Sequence, residues 1–341
     1  MLDLPNLFEC GTLGYHTCRI PALVATASGS ILAFCEGRRG GSSDDVPIDI
    51  LLRRSDDQGL HWSPPVAIVS DGERTCGNPC PVLDRDSGDL LLPFCKDNQG
   101  VFLSRSRDDG HTWDVPRDIS AQALLPGGTF VGTGPGHGIQ LASGRLLIPC
   151  WVDESPGPAT WRPANWGKIQ SSYALLSDDG GESWRPSEKL THDTTDECEA
   201  AEVDGRVYLT ARSRGGRQQR GRSWSSNGGQ SWSPIEFVPS LPELSCQGSI
   251  LSLGDRRVLV VHPASTGDRS ELTAYLSEDG GHTWPHAMLI YKGPSAYSDL
   301  VMIAPGEARA HVLCLFEADG YKRLACVRFS IGDILQDNTS L

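Results

Sequence analysis

The chain has 341 residues, with 43 acidic against 30 basic side chains and a formal net charge of −13. That balance argues against a nucleic-acid partner, whose footprint is a basic face, and no apolar stretch reaches the ~18 residues of a membrane-spanning helix. Gly 38 and Pro 23 fit a turn-rich chain, and no stretch repeats apolar residues at helical spacing.

The elements follow one another in a repeating order. Residues 20–34 (IPALVATASGSILAF) read as apolar run, Gly-containing turn, apolar run, which predicts a β-hairpin. The octet 55–62 (SDDQGLHW) follows it. The same pairing recurs as hairpin 81–94 with octet 106–113 (SRDDGHTW), and hairpin 138–149 with octet 177–184 (SDDGGESW). It recurs again as hairpin 200–211 with octet 225–232 (SSNGGQSW), and hairpin 249–261 with octet 277–284 (SEDGGHTW). A sixth hairpin, 300–316, is followed only by a single strand at 322–330.

The octets share the pattern S-x-D/N-x-G-x-x-W, an Asp box, at Ser-to-Ser spacings of 51, 71, 48 and 52 residues. Asp or Asn at the third position can bond its own backbone two residues on. Gly at the fifth allows positive φ, and the Trp buries a large ring as the next strand starts. These are structural turns and report fold rather than chemistry. A period near fifty means repeated supersecondary units. Two hairpins per unit give four antiparallel strands, so the prediction is an all-β, six-bladed β-propeller of four-stranded antiparallel blades, one domain over residues 1–341. The last blade lacks a fourth strand, which the segment around Leu7 to Leu13 is predicted to supply. A β-sandwich fits the strands but not the period.

The start, Met1-Leu2-Asp3-Leu4-Pro5-Asn6, lacks the basic head and apolar centre of a secretion signal. The 11 cysteines are odd in number and spread along the predicted strands. Buried reduced thiols in a cytoplasmic protein are the expectation. Cys76-Gly-Asn-Pro-Cys80 is half a metal site with no second half in sight, so neither metal nor cofactor is expected.

A second signal concerns charge. Arg19 opens the first hairpin, Arg212 ends the fourth and Arg269 follows the fifth. Gathered on one face of a ring, three guanidiniums repel one another unless an anion sits between them. A carboxylate matches their planar fork.

With the Arg19-Ile20-Pro21 start, the boxes and the segments 196–203 (DECEAAEV) and 293–300 (GPSAYSDL), nearly the whole chain resembles the exo-sialidase (neuraminidase) family of six-bladed propellers. The resemblance implies that Arg19, Arg212 and Arg269 clamp the carboxylate of sialic acid, with Arg38 as a further site arginine. It implies Tyr297 as nucleophile, Glu197 as the base paired with it, and a loop Asp as acid/base. Loop 40–47 offers Asp44 and Asp45; nine positions back from Arg53 is Asp44, which is preferred. Asp49 belongs to the following strand. Asn78 matches a contact to the acetamido side of the sugar.

A tyrosine nucleophile makes chemical sense on a carbon that already bears a carboxylate, because a neutral phenol avoids repulsion. With a pKa near 10 the phenol needs a neighbouring carboxylate to take its proton. The resemblance therefore predicts a retaining exo-α-sialidase acting on sialylated glycoconjugates or oligosaccharides. A trans-sialidase, an anhydro-forming sialidase and a hydrolase of the deaminated sugar share the same core residues. A binding-only Asp-box propeller would have no use for them. Trp151, Trp161 and Trp166 flank an insertion, 152–170, suited to covering the glycerol chain or the aglycone. The basic run 212–222 reads as a solvated loop beyond Arg212, and His137 as a turn residue.

Overall fold

A computed structural model describes residues 4–155, 169–191, 194–303 and 311–336. Antiparallel strands dominate it. Among the described residues the only helices are the short Ser120–Ala123 and Ile331–Gln336. The first sheet runs Thr17–Ala25, Ile31–Arg38, Ile48–Ser55 and Val66–Val69 in sequence order. The fourth repeats this plan with Thr195–Val203, Arg206–Ser213, Gln219–Ser225 and Glu236–Pro242.

The second and third sheets each carry five strands, because their first strand is broken. Cys76–Gly77 and Val82–Leu83 both pair with Leu90–Lys96, and Phe130–Thr133 and Ile139–Gln140 both pair with Leu146–Asp153. The breaks fall at Pro79 and Pro81 and at Pro135, where the missing N–H cannot continue a ladder. The last sheet has seven strands, from Ser249–Gly254 through to Asn6–Glu9. Its 18-residue strand His286–Ile303 changes partner. Up to Pro294 it pairs with Ser270–Ser277, and from Ser295 with His311–Ala318. The sheet is thus two four-stranded parts sharing one long strand.

Asn6–Glu9 pairs antiparallel with Arg323–Ser330, so the N-terminal segment does complete the last sheet. The strand stops at Glu9, short of the predicted Leu13, which is exposed with φ 53°.

Middle strands such as Ile31–Arg38 and Leu146–Asp153 are buried at every residue rather than at alternate ones. Both faces of each sheet are therefore covered, which explains the continuous apolar runs in the sequence. All 11 cysteines are free thiols, and all but Cys10 are buried.

The five boxes have one geometry. Each Ser hydroxyl donates to the Asp or Asn Oδ1 at 2.8–2.9 Å and accepts the box glycine N–H at 2.8–2.9 Å. The Asp or Asn Oδ1 accepts the N–H four residues on, at 2.8–3.0 Å, rather than the predicted two. The N–H two residues on belongs to the box glycine and is taken by the Ser hydroxyl instead.

The box glycines have φ between 82° and 85°. Each also abuts the preceding sheet in the series. A Cβ on Gly59 would come 2.5 Å from Leu313 Cδ1, and one on Gly281 would come 2.6 Å from the Tyr208 ring. The box tryptophans pack the same way, Trp113 edge-on to Phe34 and Trp284 edge-on to Tyr208. The boxes are thus wedges between successive sheets, and the box of the first sheet rests on the last.

Gly281→Ala combines positive-φ strain with a clash against a rigid buried ring. It is expected to lose about 2–4 kcal/mol in denaturant unfolding. Gly29→Ala, at φ 89° with nothing within 4 Å, should lose only about 1 kcal/mol. Equal losses would remove the wedge from the account.

Candidate active site

One cavity of about 250 Å³ is lined by Arg19, Arg38, Asp44, Asn78, Glu197, Arg212, Arg269 and Tyr297. Every residue singled out from the sequence as catalytic or substrate-binding therefore reaches the same space.

Tyr297 lies where His286–Ile303 changes partner, at a register shift between Ser295 and Ser298. Its hydroxyl donates to Glu197 Oε1 at 2.5 Å and accepts from Arg212 NH1 at 3.0 Å. Arg212 NH1 is also 2.7 Å from Glu197 Oε2. Burial raises the Tyr297 pKa against the pull of Arg212, Arg269 and Arg19. Burial also raises that of Glu197, with Asp196 adding to it and Arg212 opposing. Arg19 and Arg269 flank the phenol ring, their guanidinium carbons 5.0 and 5.5 Å from its centroid.

The arginines are held from behind by carboxylates that sequence reasoning missed. Glu317 accepts two bonds from Arg19, at 2.9 and 3.1 Å, and the main-chain N–H groups of Ile20 and Tyr297. Asp196 takes Arg212 at 2.7 and 2.5 Å, and Glu36 takes Arg38 at 2.9 and 2.7 Å. Glu36 also accepts the main-chain N–H of Asn78. The sequence expectation of bare guanidiniums repelling one another needs correcting, since three of the four carry their own counter-charge. Arg269 differs: it bonds the Ser245 carbonyl and the Tyr321 hydroxyl, and no carboxylate pairs with it among the described residues. The signals available in sequence were weak, namely an acidic residue two positions from Arg38 and one just before Glu197.

In the loop, Asp44 reaches the cavity and lies 2.6 Å from Arg38 and 3.7 Å from Arg19. Asp45 is exposed and takes a bond from Ser43 instead. Asp49 bonds the Tyr15 hydroxyl. Trp151 lines the cavity, stacked on Phe130, while Trp161, Trp166 and most of the 152–170 insertion lie outside the described residues.

The basic run is a solvated loop only over residues 215–218, which are exposed. Arg214 lines the cavity, and Arg220 is fully buried against Glu243, Thr210 and the carbonyls of Cys246 and Gly248. The buried Glu243 carboxylate, 23 residues further on, holds Arg220 inside the strand Gln219–Ser225, which a count of charges cannot reveal.

His137 is outside the cavity lining but is more than a turn residue. Its Nδ1 is 2.7 Å from Asp299 Oδ1, and Asp299 also accepts the N–H of Leu23 and Leu300. Glu199 accepts from Ile250 N–H and from Gln247. Together these buried groups join the first strands of several sheets.

Residues 29–311 match the BNR repeat-like domain family. The chain is 28% identical to Sialidase-3 of Bos taurus, over 88% of this chain and 86% of that protein. It is 29% identical to an exo-alpha-sialidase of Aspergillus fumigatus, over 81% of this chain and 71% of that one. The chain belongs to the exo-α-sialidase family. Among solved structures, Hadza microbial sialidase Hz136 superimposes on this sialidase-family chain with a TM-score of 0.85 at 25% identity, covering 97% of this chain and 69% of that one.

The His137–Asp299 pair makes stability depend on pH. Burial opposes the His137 cation, yet the Asp299 carboxylate outweighs it and holds the pKa above the ordinary 6.5. The folded chain therefore binds this proton more tightly than the unfolded chain. The resulting stabilisation is complete below pH 6.5 and is lost as pH rises through the raised value. The melting-temperature gap between the native protein and His137→Gln should hold up to about pH 6.5 and shrink above it. A gap that widens with pH would contradict the assignment.

Proposed function

We propose that this chain is a retaining exo-α-sialidase that removes terminal α-linked sialic acids from glycoconjugates or oligosaccharides through a tyrosyl intermediate. We further propose that residues 1–341 form one domain, a six-bladed propeller with the cavity at one end of its axis. The observation that carries the reading is the Tyr297 hydroxyl, 2.5 Å from Glu197 Oε1 in an arginine-lined cavity.

Arg19, Arg212 and Arg269 hold the sugar carboxylate and fix the ring over Tyr297. Asp44 lies 2.6 Å from Arg38 and 3.7 Å from Arg19. A bound carboxylate competes for the guanidinium of Arg19 and turns Asp44 toward the glycosidic oxygen. Asp44 gives its proton to that oxygen as the C–O bond breaks. The Tyr297 oxygen bonds the anomeric carbon while its own proton passes to Glu197 Oε1. Arg212 NH1 faces the same oxygen and stabilises the charge that develops there. Water then attacks the anomeric carbon, giving a proton to Asp44. Tyr297 leaves, recovering its proton from Glu197, and free sialic acid is released.

Tyr297→Phe removes the attacking atom and leaves the arginines in place. Hydrolysis of a fluorogenic α-sialoside should fall by roughly 10³-fold or more in kcat with KM little changed. Full turnover in that variant would refute the nucleophile. An anhydro sugar, or transfer to an added acceptor, in place of free sialic acid would select the related chemistries with the same core. Arg269→Ala removes the guanidinium without a carboxylate partner. It should raise KM and lower kcat together, with kcat/KM down on the order of 10–10²-fold, about 1.5–3 kcal/mol for one charge-assisted bond. An unchanged KM would count against a carboxylate bound there.

A further inference from the structure

Glu197 is preceded by a second buried carboxylate, and both meet the same arginine. In a regular strand consecutive side chains point to opposite faces. Here Thr195 pairs with Ser213 and Cys198 with Ala211, so Asp196 and Glu197 together oppose Arg212 alone. This is a β-bulge, the device that re-aims a side chain beside a site. Asp196 has no exposed surface. It takes Nε and NH2 of Arg212 on its two oxygens at 2.7 and 2.5 Å. Only NH1 is left, and it meets both the Tyr297 oxygen at 3.0 Å and Glu197 Oε2 at 2.7 Å.

We propose that Asp196 is a positioning residue for the Glu197–Tyr297 pair: it aims the third nitrogen of Arg212 at the phenol oxygen and offsets the arginine's charge, so that Glu197 can accept the phenol proton. The proposal rests on the reading of Tyr297 as nucleophile and Glu197 as its base. A lone guanidinium 2.7 Å from a carboxylate makes it a poor proton acceptor. A second carboxylate across the same guanidinium restores its basicity, while the hydrogen bond to the phenol oxygen remains. Other charged groups face this corner: Arg214, 3.5 Å from Asp196, Arg269 across the phenol ring, and Glu243, which accepts the Ser213 N–H and pairs with Arg220. None of them is bidentate to Arg212, so none can replace Asp196 in setting its orientation. Burial and Asp196 both raise the Glu197 pKa while Arg212 lowers it, which agrees with this division of labour.

The test is the pH profile of kcat/KM on a fluorogenic α-sialoside for the native protein, Asp196→Asn, Asp196→Glu and Tyr297→Phe. Asp196→Asn leaves Arg212 uncancelled. Its acidic limb should move down by about one pH unit, with kcat/KM at the optimum lower by on the order of 10²-fold. Asp196→Glu keeps the charge and shifts its place, so its limb should stay at the native pH while kcat falls. An unmoved limb in Asp196→Asn overturns the proposal, since a merely structural role lowers activity without moving it. If Asp196→Asn does not fold, Asp196→Ser, which also removes the charge, takes its place: a limb moved down there supports the proposal and an unmoved one overturns it. Should Tyr297→Phe retain full turnover, the underlying reading falls and this one with it. If that variant is dead and the limb still fails to move, only the role of Asp196 is lost.

Discussion

A guanidinium taken out of water must be met by a carboxylate or carbonyls, because its lost hydration otherwise exceeds anything packing can return. The cavity follows from that requirement. Glu317, Glu36 and Asp196 each answer one arginine. Two of them also seize main-chain N–H groups, so that fixing a charge fixes a stretch of backbone as well. Glu317 is the clearest case, tying Arg19 and Ile20 of the first sheet to Tyr297 of the last. Arg269 is left with a carbonyl and a hydroxyl. The site thus keeps an unmatched positive charge for an incoming anion while its other cations are held still.

Sheets with both faces covered leave little room for polar side chains, and the chain solves this with irregularity in its first strands. Register shifts occur between Arg19 and Ala22, between Thr195 and Cys198, and between Ser295 and Ser298. Arg19, Glu197 and Tyr297 stand at these three places. Regular pairing builds the stack, and its interruptions turn side chains into the cavity.

The hairpins and boxes were legible in sequence because their chemistry is local: a Ser, an Asp and a Gly within eight residues dictate one turn. The reach of the Asp was misread, since the N–H two residues on is taken by the box Ser hydroxyl. Arg19, Arg212 and Arg269 could be found by their places at hairpin ends and by the segments around them. Their partners could not, for Glu317 lies 298 residues from Arg19 and carries no motif. The buried Arg220 was hidden for another reason. A run of basic residues looks solvated unless the buried carboxylate that meets one of them, here Glu243, is known.

Asn6–Glu9 lies beside Arg323–Ser330, which in turn borders the strand bearing Glu317. A chain emerging from the ribosome exposes Asn6–Glu9 long before the neighbour it needs exists. Arg19 likewise waits for its carboxylate until the residue 298 positions further on has been made. Contacts of such separation are slow to form, and an open sheet edge invites pairing with other chains meanwhile. Assembly of this site therefore cannot precede the synthesis of Glu317, and a translation product cut short before it carries its arginine without the carboxylate that holds it.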